Sequence, residues 1–421
     1  MLDNPYKNKK IIVVGLGRSG YAVSSLLSDL GAKITVTEKQ LNDSLKKVAL
    51  ELQNKGIEVQ LGGHQESSVD GKDLVVLSPG VDNNCPIIKL AEERNIPIIS
   101  EIEVAYSLCP AKIIAVTGTN GKTTVTTLIG NVLSSQGKSV HICGNIGNPF
   151  SAEVFKISKD AYVCLEVSSF QLERILNFRP KIAVFLNFSP DHLDRYKNIQ
   201  DYLIAKKRIF MNQREDDFAV LNYQEISIRE ITKDIKAKVV YFNRENNINP
   251  NFSAVKEVVG LLGVKEEIVE EVFSKFRGIA HRLEYVTEIK GVDFINDSKA
   301  TNVESCLWAL QNIKQPIILI AGGRNKGLKF DKIKGTIKEK VKLMVILGEA
   351  KDTLREAFKD TTDILEASSL EEATELAFKF ASKGDCVLLS PMCASFDMFR
   401  DFEERGMHFK EIVFKISQRY A

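Results

Sequence analysis

At 421 residues the chain is long for a single hydrophobic core, so two or three domains are expected. Its 44% hydrophobic and 27% charged content is that of an ordinary globular protein, and 57 basic against 55 acidic residues leave a formal charge of +2, which argues against nucleic acid as a partner. Seven cysteines without a CxxC pair fit a reducing compartment better than a patterned zinc site or disulfide framework, and no apolar run approaches the ~20 residues of a membrane span.

The opening MLDNPYKNKK lacks an apolar signal core, which with the cysteine usage points to the cytoplasm. Residues 11–14 (IIVV) read as a strand, and Gly15-Leu16-Gly17-Arg18-Ser19-Gly20 is a GxGxxG turn into an apolar-periodic helix over 22–30. A second strand, 34–37, ends in Glu38, where an acid suits a ribose hydroxyl in a dinucleotide fold. Tight strand–helix packing wants the same glycines, so NAD binding and cofactor-free use of the fold both stand. A strand over 74–77 runs into Ser78-Pro79-Gly80, which reads either as a ligand loop at a parallel strand's carboxyl end or as a plain turn.

Residues 113–127, IIAVTGTNGKTTVTT, are the most informative stretch. An apolar strand breaks into Gly118-Thr119-Asn120-Gly121, then Lys122-Thr123-Thr124 and a helical pattern, which is the layout of a phosphate-binding loop. Loop amides and the helix N-terminus would face phosphates, Lys122 would reach the outer ones, and the Thr123 hydroxyl would sit on Mg²⁺. Val116 occupies the position where the longer form of the motif has its first glycine.

Beyond this loop a strand near 140–143 leads into GNIGNP, and a strand over 161–165 ends at Glu166. That acid reads either as an Mg²⁺ ligand, direct or through water, or as a surface residue closing a strand. A strand over 182–186 ends in Asn187-Phe188-Ser189-Pro190-Asp191-His192-Leu193-Asp194. A lone histidine is more often structural, but His192 shares Glu166's position at a strand's carboxyl end, which favours a ligand; Asp191 suits a ligand or a helix cap. The helix over 202–210 carries Lys206-Lys207-Arg208, a run that is normally a solvated face. Two strands over 217–242 and a helical pair over 253–276 follow, and Gly278 to Arg282 reads as a junction. Strands at 284–289, 293–296, 317–321, 343–347 and 386–389 then alternate with helices at 303–312, 330–338, 350–358 and 369–382. The loop Ala321-Gly322-Gly323-Arg324-Asn325-Lys326-Gly327 lacks the Gly-Lys-Thr order of a second nucleotide site.

TGTNGKTT (117–124), GNIGNP (144–149), EVSSFQLE (166–173), NFSPDHLDRY (187–196), FRGIAHRLE (276–284), NDSKATN (296–302) and SPMCASFDMFRDFEERG (390–406) together resemble the Mur ligases. These are ATP-dependent amino-acid ligases that build the peptide of bacterial peptidoglycan and are related to folylpolyglutamate synthase. Within the family the chain is most similar to the member that adds D-glutamate to UDP-N-acetylmuramoyl-L-alanine. The Asp-Asn-Pro-Arg signature of the diaminopimelate-adding member is absent, and NDSKATN stands where the D-glutamate enzyme has its own motif. The resemblance implies an α/β protein of three domains. These are a Rossmann-like UDP-substrate domain over 1–110, a central phosphate-loop ATPase domain with a mainly parallel sheet over 111–279, and a Rossmann-like amino-acid-binding domain over 280–421. It further implies a monomer without nucleic-acid or membrane partners, working in peptidoglycan precursor synthesis.

The implied chemistry is phosphorylation of the L-alanine carboxylate by ATP to an acyl phosphate, then attack by the D-glutamate amine. Crowded negative charge in both steps calls for cations and Mg²⁺, two ions by the resemblance. By the same resemblance Gly118 to Thr124 hold ATP, Arg282 and Asp297 reach the nucleotide from the third domain, and the domains close over it. Thr123, Glu166, His192 and Lys206 form the metal site, with Lys206 carbamylated by CO₂, and Asn145 lies near the substrate and reacting phosphate. Lys299, Thr301, Lys326, Ser395 and Phe402 take D-glutamate, with Arg324 able to share Lys326's task. Gly15, Gly17, Ser19, Gly20, Glu38, Lys39, Ser78, Pro79 and Gly80 lie near UDP. Three rivals stand beside this reading: a dehydrogenase built on GxGxxG, a nucleotide-binding switch without ligase activity, and a family member accepting another amine.

Overall fold

Continuous apolar runs bounded by glycine loops pack into parallel sheets covered on both faces, and that is how most strands of this chain are used. The protein is described here by a computed structural model covering residues 4–193, 195–245, 248–276, 278–325, 327 and 329–420. Among the described residues the strands form three sheets.

The first sheet contains β1 (Lys10–Val14), β2 (Lys33–Glu38), β3 (Glu58–Leu61), β4 (Leu74–Leu77) and β5 (Ile98–Ser100), all parallel, in the order β3-β2-β1-β4-β5. The second contains β6 (Lys112–Thr117), β7 (Val140–Gly144), β8 (Tyr162–Glu166), β9 (Ile182–Phe185), β10 (Phe218–Asn222) and β11 (Lys238–Phe242), again parallel, in the order β11-β10-β9-β6-β8-β7. The third contains β12 (Glu284–Ile289), β13 (Val292–Asn296), β14 (Ile317–Gly322), β15 (Val341–Leu347), β16 (Asp363–Glu366) and β17 (Cys386–Met392), in the order β12-β13-β17-β14-β15-β16. Among the named strands of the described residues, β12 and β13 alone pair antiparallel. Their turn places Lys290 and Gly291 at φ +52° and +78°, the two positive values that a two-residue hairpin matching strand twist requires.

The fold is therefore α/β with three sheets, as expected. The strands β3, β5 and β16 are absent from the sequence reading, as is the long helix Phe402–Tyr420. Each of those strands is three or four residues long and lies at a sheet edge, too short for periodicity to register.

The chain forms two compact units, Met1–Phe188 with Gln200–Phe276, and Ser189–Ile199 with Arg277–Ala421. In the first, one apolar core runs from Ile11 and Val13 through Ile102 to Ala115 and Phe185, spanning the first two sheets. The helix Glu101–Leu108 between those sheets is fastened by two buried acids. Glu103 accepts from the amides of Leu176, Asn177 and Phe178 at 3.0, 2.6 and 3.0 Å, and Glu101 accepts from the Ser151 amide at 2.7 Å. No helix among the described residues is long and apolar enough to cross a membrane.

Candidate active site

The order β9-β6-β8-β7 brings four strand ends together at the carboxyl edge of the second sheet. Val116 pairs with Glu166, Thr117 with Phe185, and Gly144 with Glu166. The loop after β6 turns here into the helix Lys122–Ser135. Gly118 (φ +152°) and Gly121 (φ +82°) take backbone values that L side chains rarely adopt, which is the local reason for both glycines. The loop is latched to the end of β9: Thr119 N donates to the Asn187 carbonyl at 3.1 Å, Asn120 N to Asn187 Oδ1 at 2.9 Å, and Asn187 Nδ2 to the Asn120 carbonyl at 3.0 Å. Lys122 Nζ donates to the carbonyls of Gly118 and Thr119 at 3.0 and 2.8 Å. Thr124 follows on the same first helical turn, half-exposed.

Beside the loop, Thr123 Oγ1 donates to Glu166 Oε2 at 2.8 Å and Asn145 Nδ2 to Glu166 Oε1 at 2.7 Å, so one buried carboxylate gathers both. A hydroxyl and a carboxylate are hard oxygen donors. Mg²⁺ favours one or two such protein groups completed by water and phosphate over an all-protein cage, and the pair fits that use. Among the described residues no group of three His, Cys, Asp or Glu side chains forms a metal cage.

Lys206 departs from the solvated face expected of Lys206-Lys207-Arg208. It is 1% exposed, donates to the Gly118 carbonyl at 2.8 Å, and stands 4.6 Å from the centre of the Tyr202 ring. Arg208 also turns inward, onto the carbonyls of Leu172 and Ile175, and only Lys207 reaches outward, to Asp234. The helix Ile199–Lys207 buries Tyr202, Leu203, Ala205 and Lys206 as one face. That face includes a lysine, so hydrophobic patterning does not reveal it.

In the first sheet, Glu38 accepts from Leu16 N at 2.8 Å and Gln40 N at 2.9 Å, so its carboxylate organises the GxGxxG loop. Ser78 donates to the Gly15 carbonyl at 3.0 Å, and a side chain at Gly20 would collide with that same carbonyl. Gly17, Lys39 and Gly80 are exposed, and Ser19 and Pro79 partly so. Arg18 donates to the Gly147 carbonyl, joining this loop to the one that carries Asn145.

The remaining candidates lie in the second unit. His192 has φ +56°, its amide donates to Asp191 Oδ1 at 2.8 Å, and among the described residues Asp191 caps no helix, the next beginning at Ile199. Asp297 is wholly buried, accepts from Ser390 Oγ at 2.8 Å and Leu283 N at 3.2 Å, and burial pushes its carboxyl up to about 6. Arg282 stacks over Trp308 at 5.4 Å. His281, whose ring burial holds below the usual imidazole range, faces Asn296 Nδ2 at 2.9 Å. Lys299 Nζ lies 4.2 Å from the centre of the Phe402 ring, Thr301 is half-buried, and Ser395 is buried. Arg324 donates from Nε and Nη2 to Glu349, both at 2.9 Å. Lys326 lies outside the described residues.

Several organising residues were missed by sequence reasoning. Asn187 latches the phosphate loop, Asn302 holds Asp191, and Arg405, 3% exposed, binds Ser298 and the Cys393 carbonyl. Each acts on a partner distant in sequence, so no local signal marks it.

A phosphate loop at the carboxyl edge of a parallel sheet, flanked by a hydroxyl–carboxylate pair, defines a nucleotide-handling α/β protein. The chain belongs to the Mur ligase family: it matches the Mur ligase middle domain over residues 116–281, the Mur ligase glutamate ligase domain over 281–393, and the Mur ligase MurD-like N-terminal domain over 9–100. Relatives named UDP-N-acetylmuramoylalanine–D-glutamate ligase include those of Thermoanaerobacter sp. strain X514, 39% identical across 97% of this chain and 98% of that protein, and of Koribacter versatilis, 38% identical across 98% and 99%. Among solved structures, the UDP-N-acetylmuramate-alanine ligase of Thermotoga maritima aligns with a TM-score of 0.60 at 18% identity, over 97% of this chain and all of that one. The MurF ligase of the same organism, in complex with ADP, aligns at 0.59 and 16%, over 100% and 98%. These two establish the shared fold.

Proposed function

We propose that this chain is the cytoplasmic, monomeric ligase that joins D-glutamate to UDP-N-acetylmuramoyl-L-alanine at the expense of ATP. The observation that carries the reading is the Thr123–Glu166–Asn145 network beside the phosphate loop, in a chain 38–39% identical over nearly its whole length to proteins named for that reaction. Residues 1–110 hold the UDP substrate, 111–279 hold ATP, and 280–421 hold the amino acid.

A carboxylate and an amine do not condense in water at useful rates, so the L-alanine carboxylate first takes the terminal phosphoryl group of ATP. Lys122 moves from the loop carbonyls onto the outer phosphates, and the loop amides of Gly118 to Gly121 cradle them. Thr123 and Glu166 would hold Mg²⁺, with His192 serving a second ion; such ions would supply neutralisation of the charge on the transferring phosphoryl group. An ammonium has no lone pair for a metal, so Lys206 would join that site only as a carbamate: the ammonium loses a proton to solvent, the neutral amine adds to the carbon of CO₂, and a second proton leaves the nitrogen. Asn145 orients the acceptor carboxylate, and Arg282 and Asp297 contact the nucleotide. Lys299, Thr301, Lys326, Ser395 and Phe402 bind D-glutamate, whose two carboxylates need charge-assisted partners to offset their desolvation. The neutral amine attacks the acyl carbon, the C–O bond to phosphate breaks from the tetrahedral intermediate, and the nitrogen gives up a proton to solvent as phosphate leaves.

The test is ATP-dependent phosphate release with UDP-N-acetylmuramoyl-L-alanine and D-glutamate, L-glutamate, L-lysine or diaminopimelate. Release with D-glutamate alone is expected. Release with another amine changes the substrate, and amine-independent hydrolysis removes the ligase reading.

A further inference from the structure

His192 sits at φ +56°, a left-handed backbone that few non-glycine residues adopt, and hydrogen bonds on both sides of the residue accompany it. Its amide donates to Asp191 Oδ1 at 2.8 Å, and its carbonyl accepts from Arg195 N and Tyr196 N, both at 3.0 Å. The other carboxylate oxygen, Asp191 Oδ2, lies 3.7 Å from His192 Nε2. One carboxylate therefore addresses both the backbone and the ring of His192.

That carboxylate is 4% exposed and is itself gripped from a distant part of the chain. Asn302 Nδ2 donates to Asp191 Oδ2 at 3.1 Å across 111 positions of sequence. Asn302 is 3% exposed, and its Oδ1 accepts from Ser305 N at 2.9 Å as the cap of the helix Val303–Asn312. The two ends of its amide are thus assigned by their partners: oxygen to the helix amide, nitrogen to the acid. Asn302 closes the stretch that begins at Asn296 and contains Lys299 and Thr301.

We propose that Asn302 is a positioning residue for His192, acting through Asp191, so that the stretch assigned to D-glutamate also sets the geometry of a metal-site side chain. The inference rests on the proposed metal role of His192. The physical reason is economy of constraint: a left-handed histidine on a loop keeps one orientation only if its carboxylate partner is itself immobile, and a buried amide anchored to a helix N-terminus makes it so.

Substitutions at Asn302 separate capping from positioning. Asn302→Asp and Asn302→Ser both retain an oxygen for Ser305 N, and both remove the amide nitrogen that reaches Asp191; the shorter serine hydroxyl stops at about the position of the amide carbon. The double variant Asp191→Asn/Asn302→Asp restores a donor–acceptor pair in reversed sense and keeps an oxygen for the His192 amide.

In the full-length enzyme, Asn302→Ser is expected to lower kcat and raise the Mg²⁺ concentration for half-maximal activity by about tenfold, with the KM for ATP and the melting temperature little changed. The double variant is expected to recover most of what Asn302→Asp loses. A readout independent of catalysis comes from ¹³C-labelled histidine: with five histidines in the chain, the His192 resonance is assigned by its loss in His192→Ala. It should shift in Asn302→Ser and return toward the wild-type position in the double variant. An unmoved His192 resonance, or equal and additive losses in the double variant, overturns the proposal. A moved resonance with unaltered Mg²⁺ dependence, in an enzyme where His192→Ala is fully active, upholds the positioning and removes the metal role of His192 instead.

Discussion

The Lys206 ammonium is bonded to the Gly118 carbonyl at 2.8 Å although 88 positions separate the two residues. A side chain from the helix Ile199–Lys207 thereby touches the first residue of the phosphate loop, in a pocket walled by the Tyr202 ring. Burying a cation is unfavourable unless it is paired, and here a carbonyl and an aromatic face receive it.

Replacing Lys206 by alanine should lower ligase turnover by about a hundredfold or more, since it removes a group placed against the phosphate loop, where the proposed mechanism develops phosphoryl charge. Short carboxylates such as acetate should restore part of the activity if the working form is an anionic carbamate. Steady-state phosphate release with and without acetate checks this, and normal activity in Lys206→Ala would remove Lys206 from the site.

Gly121→Ala tests the loop backbone. A methyl group there must take φ +82° and meets the Asn251 side-chain oxygen, so a strain of about 1–2 kcal/mol is expected from the backbone alone. The KM for ATP should rise by about tenfold or more as the loop leaves its phosphate-ready geometry. Adding Asn251→Ala should relieve the collision and leave the backbone part of the defect, which a comparison of melting temperatures and ATP titrations separates.

Asp297 predicts a pH dependence. Its carboxyl is pushed up to about 6 in the fold by burial, against 3.8 for the unperturbed side chain. A raised carboxyl pKa means that the folded state binds a proton more tightly than the unfolded chain does. Its favourable contribution is therefore complete below about 4 and is lost as pH rises to about 6. Melting temperatures of the wild type and Asp297→Asn at pH 5 and 7.5 check the sign: the difference, wild type minus variant, should be more positive at pH 5.

Glu103 should matter to stability and little to chemistry. Its carboxylate satisfies three consecutive backbone amides, so Glu103→Ala strands those donors and should lower the stability of the first unit by about 3 kcal/mol or more. Denaturant unfolding measures that loss. The kcat of the protein that remains folded should stay within about twofold of the wild type, because Glu103 touches none of the proposed active-site groups.

Local chemistry makes part of this protein readable from its residues alone. The apolar runs at 11–14, 113–116 and 317–321, bounded by glycine loops, read as buried strands, and they are. Gly118 and Gly121 announce their backbone, and Lys122-Thr123 follows at the spacing a phosphate loop demands. The family was legible for the same reason, since its motifs are short and contiguous. What the residue order leaves open is every relationship that depends on the path of the chain through space. A lysine in a Lys-Lys-Arg run reads as solvated until the fold turns its helix face onto Gly118. Glu38 reads as a strand-end acid suited to a ribose, and only the fold shows that its carboxylate also takes Leu16 N. Asn302 reads as a helix cap, which it is, while its second bond, to Asp191, exists only because the segment Ser189–Ile199 packs with the third sheet. Hydrogen bonds and burial are properties of spatial neighbours, so the sequence alone determined the strands, the phosphate loop and the family. Only the tertiary structure decided which polar side chains serve as organisers of the fold.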